Sequence, residues 1–555
     1  MPTDRETLFR TEPRGGLQDA RRLLPEGAAW AALVDGFRWQ VPARFNIALA
    51  CCDSWAEIAP DRVALIDRQA DGSVETWSYG RLKEASDRLA AAFQARGLGR
   101  GDRVGVLLPQ GPAVLLAHFA AMKLGAVALP LFTLFGPDAL AYRLADSAAR
   151  IVVTDGENLG KLMDLRPDLP DLAEIYCTDW APHPVHWLWD VVRQGPGLPA
   201  PVPVAADDPA VLIYTSGTTG PPKGVLHAHR FLIGHLPNIE VSHGFFPQPG
   251  DCGWTPADWA WIGGLMDMAM PCLYYGVPLV AHRMRKFEPE AAWRLIADHG
   301  VRNLFLPPTA LKLLRQAPVP RGLSLRSVSS GGESLGAEML DWGQRALGCP
   351  INEIYGQTEC NLVISSGDDL FPTIPGKMGR AVPGMEVAVI DAAGNPVPDG
   401  EVGEIAVRRG TPVMFLEYLG QPEKTAGKFI GDWMRTGDLG TRDADGYFAY
   451  VARDDDIISS AGYRIGPSEI ENCLMGHPAV AMAAAVGVPD PVRGQVVKAF
   501  VVLRDGAEWE GLAEALRARV QERVSPHVAP REVVRADSLP MTATGKILRR
   551  ELRGV

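Results

Sequence analysis

Cysteine is scarce, with eight residues in 555. None forms a Cys-x-x-Cys pair, and Cys51 and Cys52 are adjacent, so neither a disulfide scaffold nor a thiolate metal site is expected. That usage fits a reduced, cytoplasmic protein. Positive charge is also short. Lysine and arginine number 55 against 66 aspartates and glutamates, a net charge of −11. Such a balance argues against nucleic-acid binding and against anionic-membrane binding, while leaving room for a local basic pocket. Long apolar runs are missing. The most apolar stretch, 111–132, contains His118, Lys123, Gly125 and Pro130 and reads as a buried helix followed by a strand, so no integral membrane association is expected. The first residues carry Asp4, Glu6, Glu12 and Asp19 among their arginines and hold no apolar core, so no signal or transit peptide is expected. No short repeat period is visible, which argues against solenoids and propellers.

What is present is ordinary globular composition, 47% apolar and 22% charged. The length suggests three or four folding units at about 150 residues each. The run RVGVLLP at 103–109 precedes a helical pattern, then AVALPL, a second helical pattern and ARIVVTD. Strands alternating with helices favour a layered, parallel α/β sheet. The segment at about 178–209 is rich in proline and tryptophan and reads as a loop or linker. From about 376 to 452, short β-rich runs separated by Gly- and Asp-rich turns predict an antiparallel β subdomain. After about 456 a further small α/β unit begins, with strands at IISSA and VVKAFVVL and helices at PSEIENCLMG and WEGLAEALRARVQERV.

The densest chemical signal follows an apolar strand: Tyr214, Thr215, Ser216, Gly217, Thr218, Thr219, Gly220, two prolines, Lys223 and Gly224. Flexible residues let backbone N–H groups converge on one anion, the hydroxyls add donors and the lysine adds charge. This predicts a phosphate-cradling loop. The glycine–lysine–hydroxyl spacing of a Walker loop is absent.

Together with motifs further along, this loop resembles the adenylate-forming, AMP-binding acyl-activating enzymes. Gly331, Gly332, Glu333 and Ser334 are similar to an adenine-binding segment of that family, as are Glu353, Ile354, Tyr355, Gly356, Gln357, Thr358 and Glu359. Thr436, Gly437 and Asp438 resemble its ribose-binding turn, the stretch from Arg453 through Ile458 its interdomain hinge, and Thr544, Gly545 and Lys546 its C-terminal catalytic segment. The runs at 460–471 and 489–498 look most like medium-chain acyl-CoA synthetases.

The resemblance implies an α/β protein with an adenylation domain at 1–454 and a small mobile C-terminal domain at 455–555. It implies ATP, Mg²⁺ and CoA. A carboxylate and a triphosphate crowd negative charge together, so their reaction needs cations and positioned donors. By resemblance, Glu359 is the Mg²⁺ ligand and Thr358 a donor to the α-phosphate. Asp438 accepts from the ribose hydroxyls, Arg453 pairs with the ribose region, Tyr355 is a candidate to stack on adenine, and Lys546 bridges carboxylate and α-phosphate. Asp455 marks the hinge about which the C-terminal domain turns between the two half-reactions. Ala461, Gly462 and Tyr463 resemble the strand lining the pantetheine tunnel, Arg464 a phosphate contact, and Arg493 and Arg531 contacts to the CoA nucleotide.

In acetate-specific relatives a tryptophan at the position of Gly356 closes the acyl pocket. Gly356, Gly263 and Gly331 are therefore expected to leave it open, with Trp261 and Ile262 as an apolar flank. An apolar monocarboxylate is expected, a medium-chain fatty acid first and an aryl acid second. Two further readings compete. A stand-alone adenylation enzyme would load a separate carrier protein. A serine hydrolase would use Ser334, because Gly332–Gly336 fits the Gly-x-Ser-x-Gly elbow between a strand and a helix. The oligomeric state stays open, a homodimer included.

Overall fold

The computed structural model describes residues 21–215, 221–333, 335–453, 456, 458–460, 463–490, 493–526, 528–541 and 547–553. The alternation read from the sequence becomes an eight-stranded sheet. Its order runs from Glu417–Tyr418 through Lys223–Ala228, Pro209–Thr215, Val127–Pro130, Arg103–Leu107, Ala149–Thr154 and Glu174–Cys177 to His186–Trp187. The five strands from Pro209–Thr215 to Glu174–Cys177 are parallel, so each needs a crossover. One crossover is the helix Pro112–Lys123, buried at every position, as a helix apolar on all faces must be. Its last residue carries a sequestered charge. Lys123 Nζ lies 2.8 Å from Asp53, 2.6 Å from Asp87 and 2.8 Å from the Ser86 hydroxyl. Removing one member would strand an uncompensated buried charge, so this cluster ties three segments of the core together.

The second sheet has fourteen strands. Its parallel part includes Val63–Arg68, Leu279–Ala281, Gly253–Trp254, Asn303–Phe305, Ser327–Gly331 and Ile351–Gln357. It then continues, antiparallel, through Asn361–Ser365, Gly379–Ala381, Tyr447–Arg453, Trp433–Arg442, Gly403–Arg408 and Val387–Ile390. The β-rich stretch at 376–452 is antiparallel as expected, but it is a limb of this sheet rather than a sheet of its own. The hairpin Ile351–Gln357/Asn361–Ser365 makes the change of direction, and the candidate site lies at that turn.

The supposed linker at 178–209 also needs correction. It holds the edge strand His186–Trp187 and a helix, Leu188–Gln194, which packs on the helix Tyr79–Ala95. A third sheet of five strands, built wholly from residues after 457, carries the helices Pro467–Met475 and Leu512–Arg523. Arg549, in the last helix, Arg549–Leu552, holds Glu471 at 2.7 Å. All eight cysteines are free. Among the described residues, no helix is long and apolar enough to cross a membrane.

Candidate active site

The strand Pro209–Thr215 returns as Lys223–Ala228 in an antiparallel hairpin, with Thr215 opposite Lys223. Ser216, Gly217, Thr218, Thr219 and Gly220 lie outside the described residues. The outer neighbour of Lys223–Ala228 is Glu417–Tyr418, and this pairing brings in a residue no local motif announced. The Tyr418 hydroxyl donates to Glu359 Oε1 at 2.5 Å, and Lys223 Nζ lies 4.9 Å from the centre of the same ring. Glu359 is 9% exposed. Burial lowers the Lys223 pKa, Glu359 opposes that shift, and Lys424 and Lys428 add to it. A carboxylate beside three ammonium groups is a suitable seat for a polyphosphate and its cation.

A second group gathers on the neighbouring strands. The register places Asp438 opposite Arg453, and their charged ends lie 3.3 Å apart. Tyr355 donates its hydroxyl to Asp438 Oδ2 at 2.7 Å, and Gln357 Nε2 lies 3.4 Å from the same oxygen. Lys428 Nζ donates to Gln357 Oε1 at 2.9 Å, which links this group to the lysines around Glu359. Burial raises the Tyr355 pKa, and Asp438 raises it further. Tyr355 therefore stays a donor, and Asp438 presents acceptor oxygens from within the strand Trp433–Arg442, suited to vicinal hydroxyls.

Glu353 takes a different place from the nucleotide contact expected of it. Its Oε1 accepts from the Leu335 N–H at 2.9 Å, and burial pushes its pKa up to about 7. It fastens the strand Ile351–Gln357 to the loop after Ser327–Gly331. In that loop Gly332 has φ +106°, a conformation that favours glycine, and Glu333 pairs with Lys312 at 3.6 Å. The strand–turn–helix setting of the Gly-x-Ser-x-Gly elbow is present, but Ser334 lies outside the described residues.

The acyl-wall glycines divide. A Cβ on Gly356 would fall 1.4 Å from the carbonyl oxygen of Asn361, and one on Gly331 would fall 2.6 Å from that of Ile354. Close strand approach requires glycine at both positions, so their missing side chains are not evidence of room for a ligand. Gly263 behaves differently. The atoms nearest to a Cβ there would be the ring edges of Trp261 at 2.9 Å and Phe305 at 3.0 Å. The two rings are 5.7 Å apart, and Ile262 is buried beside them. Phe305 was missed because nothing in its strand marks it.

Arg493 and Arg531 lie exposed, each immediately before a strand of the C-terminal sheet, Gly494–Leu503 and Glu532–Arg535. Asp455, Ala461, Gly462 and Lys546, with the side chains of Tyr463 and Arg464, fall outside the described residues.

The oxygen donors fit Mg²⁺. Among the described residues no three acidic, histidine or cysteine side chains form a closed metal cage. An ion held by one hard carboxylate, with substrate phosphates and water completing its shell, needs none.

The AMP-binding enzyme family model matches residues 52–419, and the model of the AMP-binding enzyme C-terminal domain matches residues 469–546. The mitochondrial acyl-coenzyme A synthetase ACSM2 of Rattus norvegicus is 34% identical over 530 residues, spanning 93% of this chain and 92% of that protein. The acetyl-coenzyme A synthetase of Bacillus subtilis (strain 168) is 33% identical over 538 residues, spanning 94% and 93%. Among solved structures, the anthranilate CoA ligase AuaEII in complex with anthranoyl-AMP superposes with a TM-score of 0.85 at 27% identity, covering 93% of this chain and 98% of that one. The chain belongs to the AMP-binding, adenylate-forming enzymes and is an AMP-forming acid–thiol ligase of the acyl-CoA synthetase group, using ATP, Mg²⁺ and CoA.

Proposed function

We propose that the protein activates a monocarboxylic acid with an apolar body, a medium-chain fatty acid first, and passes the acyl group to CoA in the cytoplasm. In the first half-reaction a carboxylate oxygen attacks the α-phosphorus of ATP. The bond to the bridging oxygen breaks and pyrophosphate leaves with the electron pair. In the second, the CoA thiolate attacks the acyl carbon and AMP leaves.

The observation that carries this reading is the meeting of two groups at one hairpin turn. Glu359 with Tyr418 and Lys223 stands on one side, and Asp438 with Tyr355 and Arg453 on the other. Asp438 holds the ribose, Thr358 and Lys223 donate to phosphate, and Glu359 holds Mg²⁺, which offsets the charge developing on the phosphates. Thr215, Ser216, Gly217, Thr218, Thr219 and Gly220 cradle the phosphates. Lys546 enters for the first step, and the C-terminal unit, 455–555, turns about Asp455 for the second. Arg464 contacts the nucleotide phosphate, and Ala461, Gly462, Tyr463, Arg493 and Arg531 then face CoA.

An aryl acid is the second reading. The paired rings of Trp261 and Phe305, tilted 43° with centroids 5.7 Å apart, favour it, because they offer aromatic surface on the candidate flank. Carboxylate-dependent exchange of pyrophosphate into ATP tests both readings over a panel from acetate to decanoate, with benzoate and phenylacetate. A peak at six to ten carbons supports the first. A peak at benzoate replaces it with the second. Transfer to a carrier protein but not to CoA would overturn the CoA step.

A further inference from the structure

A buried polar set lies beneath the candidate acyl wall. Asp267 sits in the turn of helix Leu265–Ala269, directly after Ile262–Gly264, and is 4% exposed. Its Oδ1 lies 3.4 Å from Asn361 Nδ2 and 3.7 Å from His235 Nε2. Asn361 is the residue whose carbonyl closes on Gly356, so Asp267 ties the helix that follows the Trp261–Gly263 flank to the hairpin of Gly356.

His235, on the helix Phe231–Ser242, is fully buried. Its Nδ1 lies 2.8 Å from the Phe231 carbonyl, which only accepts, so Nδ1 carries the hydrogen. Burial keeps the ring neutral by pulling its pKa down to about 3. Nε2 is then a bare lone pair with no hydrogen-bond partner, and the gap to Asp267 is too long for a direct bond. His227, stacked on Phe231 at 4.5 Å, leaves both ring nitrogens buried and unpartnered as well.

Buried polar atoms without partners are costly, and native chains keep few without a reason. An acid with a wholly apolar body would leave His235 Nε2 unpaired. We propose that the acid taken by this enzyme carries a hydrogen-bond donor, an amine or a hydroxyl, which binds between His235 Nε2 and Asp267. This rests on the acyl-CoA synthetase reading and narrows its substrate class. His235 and Asp267 set specificity and take no part in the bond changes.

The test is CoA-thioester formation by the full chain with matched acids. Aminobenzoates and hydroxybenzoates (ortho, meta and para) are compared with the corresponding toluates, and ω-hydroxyheptanoate with octanoate. At least one donor-bearing acid should exceed its apolar partner by about tenfold or more in kcat/KM, because a site built to bond a donor rejects the analogue lacking it. Amine against hydroxyl within the series tells the two sources apart. Asp267→Leu and His235→Phe should erase that preference while keeping or raising use of the apolar partner. A purely structural role would lower both members of each pair alike and would overturn the proposal. Equal or better use of the apolar acids by the unaltered enzyme would overturn it too, with no variant needed. If no acid in the set drives pyrophosphate exchange, the synthetase reading fails with it. If apolar acids alone drive exchange, only this inference fails.

Discussion

The Tyr418 hydroxyl, on the strand Glu417–Tyr418, donates at 2.5 Å to Glu359, in the turn between Ile351–Gln357 and Asn361–Ser365. The bond fixes one carboxylate oxygen and so aims the other. Partners of this kind, one step removed from a metal, usually change its affinity about ten- to hundredfold. Tyr418→Phe should therefore raise the Mg²⁺ concentration that half-saturates pyrophosphate exchange by about tenfold. An unchanged Mg²⁺ titration would remove Glu359 from the metal site.

Asp438 gathers Tyr355, Gln357 and Arg453 around one carboxylate. Asp438→Ala removes the ribose acceptor and leaves those donors without it. The KM for ATP should rise at least about tenfold, the order expected for losing charge-assisted hydrogen bonds. The KM for the acid should stay nearly unchanged. A rise confined to the acid would place Asp438 in the wrong subsite.

Lys546→Ala should slow adenylation by about 10²-fold, the scale for losing a donor aimed at the transition state. Thioester formation from supplied acyl-adenylate should be largely kept. Single-turnover assays of each half-reaction decide it, and equal loss in both would contradict a lysine that serves one step only.

Much of this site can be read from local sequence, and the failures have a common physical cause. The Thr215–Lys223 hairpin is legible because an apolar strand, a glycine-rich turn and a second strand follow one another. Asp438 opposite Arg453 lies in adjacent strands of one meander. Tyr418 was out of reach, since contacts distant in sequence bring it to Glu359: its strand pairs with Val225, and the Phe415 N–H donates to the Glu359 carbonyl. The helix Leu188–Gln194 hid among prolines because seven residues are too few to show a period. Gly356 misled for another reason. A sequence cannot tell a glycine kept for a ligand from one kept for a neighbouring backbone.

That difference can be measured. At Gly356 the obstacle is the Asn361 carbonyl, a backbone atom that cannot rotate away. Gly356→Trp, expected from resemblance alone to redirect the enzyme to acetate, should instead lower the thermal midpoint and depress activity with every acid. The cost should be about 3 kcal/mol or more, at the upper end for overpacking. At Gly263 the obstacles are the ring edges of Trp261 and Phe305. Gly263→Ala should fold normally and shift preference toward shorter or smaller acids, by roughly tenfold for each buried carbon excluded. A well-folded, acetate-specific Gly356→Trp enzyme would return that glycine to the pocket wall.

Glu353 supplies a pH signature. Its pKa rises from the ordinary 4.5 to about 7, and burial is the cause, with one carboxyl oxygen left without a partner. A carboxyl raised on folding binds more protons in the native state than in the unfolded one. Its contribution is therefore whole below about 4.5 and is lost as pH climbs through about 7. The shift corresponds to about 3 kcal/mol. Glu353→Gln keeps an oxygen to accept the Leu335 N–H and removes the titration. Between about pH 5 and about pH 8, the unfolding midpoint of the unaltered protein should fall relative to that of the variant. A constant difference across this range would mean that Glu353 is already ionised in the fold.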